Sequence, residues 1–154
     1  MPVIEDVIEF PSVEWFDFLC DHSREEPEIY EALGFANFRL AVEITRDSGK
    51  PRQFGIFFDG YDVISYGELA DGSTFDPEAV VTGSIETWRE MANNILANGV
   101  ADSSHTLNAL SIADTPLRVF SSDPLGKDKF FRYAETIQTL FDATSRQREG
   151  TVVA

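Results

Sequence analysis

A chain of 154 residues, 43% hydrophobic and 12% aromatic, is long enough for one domain and too rich in rings for a disordered one. Twelve Lys and Arg stand against 27 Asp and Glu, a net charge of −15, and residues 1–35 hold ten carboxylates with Arg24 as their one Lys or Arg. Such a field repels phosphate backbones and anionic bilayers, which excludes nucleic acid as a partner.

The chain is expected to divide into an N-terminal extension over 1–11, one domain over 12–144 and a flexible tail over 145–154. Met1 to Phe10 has no basic residue and no unbroken apolar run, so it does not read as a signal peptide. No stretch of about eighteen apolar residues occurs, so no stable membrane insertion is expected. The tail matches neither a peroxisomal nor a lipidation address. A single cysteine, Cys20, cannot form an internal disulfide. These features together predict a cytoplasmic protein.

Residues 12–24 read as a helix opened by Ser12 as N-cap, with Trp15, Phe16 and Leu19 on its apolar side. Pro27 suits the first position of a short second helix, and Gly34 ends it. Period two follows, with Phe38, Leu40, Val42 and Ile44 alternating against Arg39, Ala41, Glu43 and Thr45. A second strand holds Phe54, Ile56 and Phe58, and Asp59-Gly60 signals a hairpin into Tyr61 to Leu69. Ala79 to Thr82 reads as a fourth strand. Ser84 then caps a helix with Ile85, Trp88, Met91, Ala92, Ile95 and Leu96 on one stripe, stopped at Asn98-Gly99. One helical turn is expected around Leu107 and Leu110, and a last strand over Leu117 to Ser121. Asp123-Pro124 opens a final helical region striped by Phe130, Tyr133, Ala134, Ile137, Leu140 and Phe141, from which Phe131 departs. The fold class is therefore α+β: one largely antiparallel five-stranded sheet covered by amphipathic helices.

Residues 54–96 carry Phe-Gly-Ile-Phe-Phe-Asp-Gly, then Gly-Glu-Leu-Ala-Asp-Gly, then Ala-Val-Val-Thr-Gly-Ser-Ile-Glu-Thr-Trp. This stretch resembles the sterol carrier protein 2 family, and Leu117 to Phe141 is similar as well. The resemblance implies a sheet packed on one side by helices around an apolar tunnel for lipids, without catalysis, cofactor or metal. The acidity of this chain disfavours anionic ligands such as acyl-coenzyme A, and points instead to a neutral steroid, terpenoid or aliphatic molecule. On that basis the ligand-binding residues are expected to be Phe54, Ile56, Trp88, Met91, Ile95, Phe120, Phe130 and Ile137.

A search for chemistry yields no motif. The two histidines, His22 and His105, lie far apart in sequence, and there is no His-Glu-x-x-His, Cys-x-x-Cys or nucleophile elbow. Cys20, among Asp17, Asp21 and Glu25, reads as a small buried hydrophobe. Two other classes stay open. One is a small α+β barrel lyase or isomerase with a pocket His or Asp as base. The other is an interaction module whose apolar stripes serve a partner or a homodimer.

Overall fold

The computed structural model describes residues 12–146, apart from the side chain of Arg146. The extension expected over 1–11, and residues 147–154 of the expected tail, lie outside the described residues.

The chain opens with α1 (Val13–Arg24) and α2 (Pro27–Leu33). Ser12 accepts the Trp15 amide at 3.3 Å, satisfying one of the donors that a helix start leaves unpaired. The strands β1 (Ala36–Thr45), β2 (Arg52–Gly60) and β3 (Asp62–Leu69) follow as an antiparallel meander. Gly60 supplies the positive φ of 77° that the tight β2–β3 link requires. Next come β4 (Ala79–Ser84) and α3 (Ile85–Asn98), whose cap Ser84 accepts the Thr87 amide and whose end is Gly99 at φ 87°. The rest of the described chain is α4 (Leu107–Ser111), β5 (Arg118–Phe120), α5 (Pro124–Arg132), α6 (Ala134–Asp142) and a closing 3-10 turn, Ala143–Arg146.

The sheet order is β3-β2-β1-β4-β5. Three of its four pairings are antiparallel, and β4 lies parallel to the central β1, with Val42 beside Val81. A parallel neighbour needs a long connection. Residues 70–78 provide it by running across the sheet face turned away from the helices. There Phe75 comes within 3.1 Å of where a β-carbon on Gly55 would stand. Gly55 pairs with Gly67 on one side and Ala41 on the other, so the backbone is bare where the Phe75 ring settles.

The other face is hydrophobic throughout. Phe38, Leu40, Val42 and Ile44 of β1, Phe54 and Ile56 of β2 and Val81 of β4 are all buried beneath α1, α3 and α5. Trp88 fixes α3 to the sheet by donating its indole N–H to the Glu43 carbonyl at 3.2 Å. The Tyr66 hydroxyl likewise donates to Asp17 at 2.6 Å, tying α1 to β3.

The final helical region is two helices rather than one, because Tyr133 leaves helical geometry at φ −100°, ψ 14°. The break divides the work: α5 packs on the strands, while α6 packs on α1, α2, α3 and α4. Phe131, off the stripe, stands edge-on to Phe130 with ring centroids 5.2 Å apart. In α5, Gly126 sits against Glu78, the residue just before β4, and a β-carbon there would fall 1.8 Å from the Glu78 carbonyl oxygen.

That contact with rigid backbone predicts that Gly126→Ala costs about 3 kcal/mol or more. Gly83→Ala, whose added carbon meets the movable Cδ2 of Leu117 at 2.3 Å, costs about 1–2 kcal/mol. Urea melts of the two variants check the order, and equal midpoints would contradict the packing described for α5.

Candidate functional site

Seven of the eight residues expected to bind ligand come together. Phe54, Ile56, Trp88, Met91, Ile95, Phe130 and Ile137 are all buried in one core between sheet and helices. Phe120 is not with them. It is 41% exposed on β5 beside Val80, on the opposite face, while its neighbour Val119 points inward beside Val81. In a strand of three residues nothing in the sequence fixes the phase, and a shift of one position exchanges the faces.

The rings of this core touch one another. Phe16 stacks on Phe54 at 4.8 Å, Trp15 meets Phe16 at 5.0 Å and Phe141 at 5.5 Å, and Trp88 lies 5.8 Å from Phe141. Side chains therefore occupy the apolar space between the layers. The opening lies beside it, in a cleft of 260 Å³ where α1, α2, the end of α3 and the end of α6 meet. Its apolar lining is Ile29, Tyr30, Val100 and Ala143, and its polar lining includes His22, Ser23, Glu26, Thr139 and Asp142. Ala143 also packs against the core, so the cleft and the interior share a wall.

The polar groups here are placed by local geometry. Ser23 donates its hydroxyl proton to the Cys20 carbonyl at 2.8 Å, one turn back along α1. Thr139 does the same to the Glu135 carbonyl at 2.8 Å. Asp142 accepts the Ala101 amide at 3.2 Å and the Gln138 side-chain amide at 2.9 Å, both on Oδ1. Burial raises the Asp142 carboxyl above its ordinary range, and these two bonds only partly offset it. Burial also raises the Tyr30 phenol.

His22 sits at the rim, its ring 4.3 Å from Phe18 and its Nδ1 3.5 Å from the exposed Glu25 carboxylate. His105 lies in an open groove on α3, bracketed by Asp102 at 2.7 Å and Glu90 at 3.5 Å, where it pins residues 102–105 to the helix. The His105 and Asn94 bonds hold the exposed Asp102 carboxyl well below its usual range. Cys20 is fully buried in the core, and burial pushes its thiol up to about 12. Among the described residues no cluster of His, Cys, Asp and Glu has the arrangement of a metal site, and no helix is long and apolar enough to cross a membrane.

The cleft residues were not legible beforehand, since they come from four separate elements. One signal was present. Asp142 stands in the last turn of α6, where the helix dipole opposes a negative charge.

An antiparallel-rich sheet with one helix-covered face, an aromatic interior and a cleft at the helix ends defines a single-sheet α+β domain. No protein-family model matches the sequence, and no curated protein matches it significantly. Solved structures do. A crystal structure of sterol carrier protein 2 superposes with a TM-score of 0.64 at 12% identity, over 88% of this chain and 96% of that one. A conserved hypothetical protein of Thermus thermophilus, described as a possible sterol carrier protein, gives 0.63 at 15% identity over 89% and 88%. Sterol carrier protein 2 from Yarrowia lipolytica, in its apo form, gives 0.51 at 13% over 88% and 93%. The chain thus has the sterol carrier protein 2 fold.

Two outcomes follow from these environments. Cys20 resists thiol-alkylating reagents in the folded protein at neutral pH and reacts on unfolding, as mass spectrometry will show; rapid native alkylation would contradict its burial. Asp142 holds its proton more tightly folded than unfolded, so its ionisation costs stability above the ordinary carboxylate range and none below it. Asp142→Asn keeps the Oδ1 acceptor and loses the charge. It should melt higher than the parent at pH 7, with the gain fading as pH falls to about 4. Equal melting temperatures at pH 7 would refute this.

Proposed function

We propose that this protein binds and carries a small, predominantly apolar, non-anionic molecule, of the size of a sterol, a terpenoid or an aliphatic chain. The observation that carries the reading is the cleft at the helix ends, which shares a wall with a ring-lined interior in a sterol carrier protein 2 fold. Ligand enters between α2 and the end of α6 and is received against Phe54, Ile56, Trp88, Met91, Ile95, Phe130 and Ile137. Those side chains close on one another, so loading moves α6 and the 3-10 turn outward. That segment is suited to the movement because it packs on helices and leaves the strands to α5.

Removing ligand surface from water supplies about 25 cal/mol per Å², so roughly 300 Å² gives several kcal/mol before ordering costs. Low-micromolar affinity is the expected range. The net charge of −15 weighs against anionic cargo.

The test is titration with Nile red as a neutral probe, then displacement by a panel of steroids, terpenoids and fatty acids. Trp15 and Trp88, both fully buried, report directly because they border the proposed space. At least one neutral member should displace the probe and shift tryptophan emission. Ala143→Trp, which fills the cleft, should weaken binding about tenfold. Silence from every panel member, with unchanged tryptophan emission, would end the carrier reading.

A further inference from the structure

The helix that moves for ligand to enter is tied to the rest of the fold in one place. Among the described residues, the side-chain hydrogen bonds from α6 to other elements all reach residues 99–107, which leave α3 and begin α4. Asp142 accepts the Ala101 amide on Oδ1 at 3.2 Å, and Gln138 accepts the Leu107 amide at 2.7 Å. Gln138 and Asp142 stand one turn apart and are themselves joined, Nε2 to Oδ1, at 2.9 Å. The Leu107 amide is one of the donors that a helix start leaves unpaired, so α6 supplies a partner that α4 lacks.

The same segment is fixed on its other side to α3. The Asn94 side chain donates to Asp102 Oδ2 at 2.8 Å and accepts the Asp102 amide at 2.9 Å. His105 reaches Asp102 at 2.7 Å and Glu90 of α3 at 3.5 Å. Residues 99–107 are therefore a strap from α3 to α6. Gly99 and Val100 at its start line the cleft, beside Thr139 and Asp142 of α6.

The large buried side chains of α6, Ile137, Leu140 and Phe141, hold it to the core by apolar contact. An apolar guest replaces such contacts as it enters, but it offers nothing in place of a bonded amide. The two bonds to the strap are thus the part of closure that cargo does not offset. We propose that the strap is the catch of the cleft: loading releases the Ala101 and Leu107 amides from Asp142 and Gln138, and the strap stays with α3. It stays there because both ends of the Asn94 amide and the His105 ring bind it, against one amide each to Asp142 and Gln138. The inference rests on the carrier reading and adds to it how opening is controlled.

Amide exchange followed by NMR, on the full chain with and without saturating Nile red, tests the release in the parent protein. The Ala101 and Leu107 amides should exchange about tenfold faster when Nile red is bound, and the Asp102 amide should not. Gln138→Met keeps the length of the side chain and loses both of its bonds. It should bind Nile red about fivefold faster and more tightly, because the open form is more populated. Lys129→Met removes a comparable tie of α5, to Glu78 and the Asn37 carbonyl, and should leave the association rate unchanged. Bound Nile red with unaltered exchange at Ala101 and Leu107, or with Asp102 released alongside them, would overturn the catch and leave the carrier reading in place. So would a Gln138→Met rate equal to that of the parent or of Lys129→Met. If Nile red does not bind and tryptophan emission stays silent across the ligand panel, both fall together.

Discussion

Five rings hold this domain in one piece. Trp15 of α1, Phe16 of α1, Phe54 of β2, Trp88 of α3 and Phe141 of α6 form one chain of contacts, so four elements distant in sequence meet at one aromatic knot. Large rings suit this role because each buries much apolar area with few torsions to freeze. The indole of Trp88 adds a directional bond to the group, to the Glu43 carbonyl of the central strand, which sets how far along β1 the helix sits. The sheet is organised around the same point, with β1 between its antiparallel partner β2 and its parallel partner β4.

Much of this was legible in the residues, and for local reasons. Ser12, Ser84 and Asp123 accept backbone amides at the helix starts that they mark, while Gly34 and Gly99 take the positive φ that ends a helix. Period two located β1 and β2 because one face of each is buried along its length. What escaped depended on long-range packing. Nothing near Tyr133 breaks a helix by propensity, and the bend exists because α5 answers to strands and α6 to helices. The parallel placement of β4 is decided by where residues 70–78 can cross, not by the composition of β4. Val119 and Phe120 were exchanged between faces because three residues carry too little alternation to set a phase.

The acidity of the chain acquires a location in the structure. Glu26 and Asp142 stand at the cleft, with Asp142 at the unfavourable end of the α6 dipole and partly withdrawn from water. Two other partly buried carboxylates have close cationic partners, Glu68 in Arg52 at 2.7 Å and Glu78 in Lys129 at 2.6 Å. Asp142, held by two amides beside the cleft and partly withdrawn from water, is a local cost to the fold.

The missing side chain at Gly55 has an effect on how the sheet can vary. Phe75 drops into that notch from the connection between β3 and β4, so the connection is anchored in its middle rather than at its ends alone. Ser73 helps set the anchor, since its hydroxyl accepts the Phe75 amide at 3.2 Å and its own amide bonds the Ala70 carbonyl at 3.0 Å. Positions 55 and 75 form a lock and key, and bulk gained by one must be given up by the other.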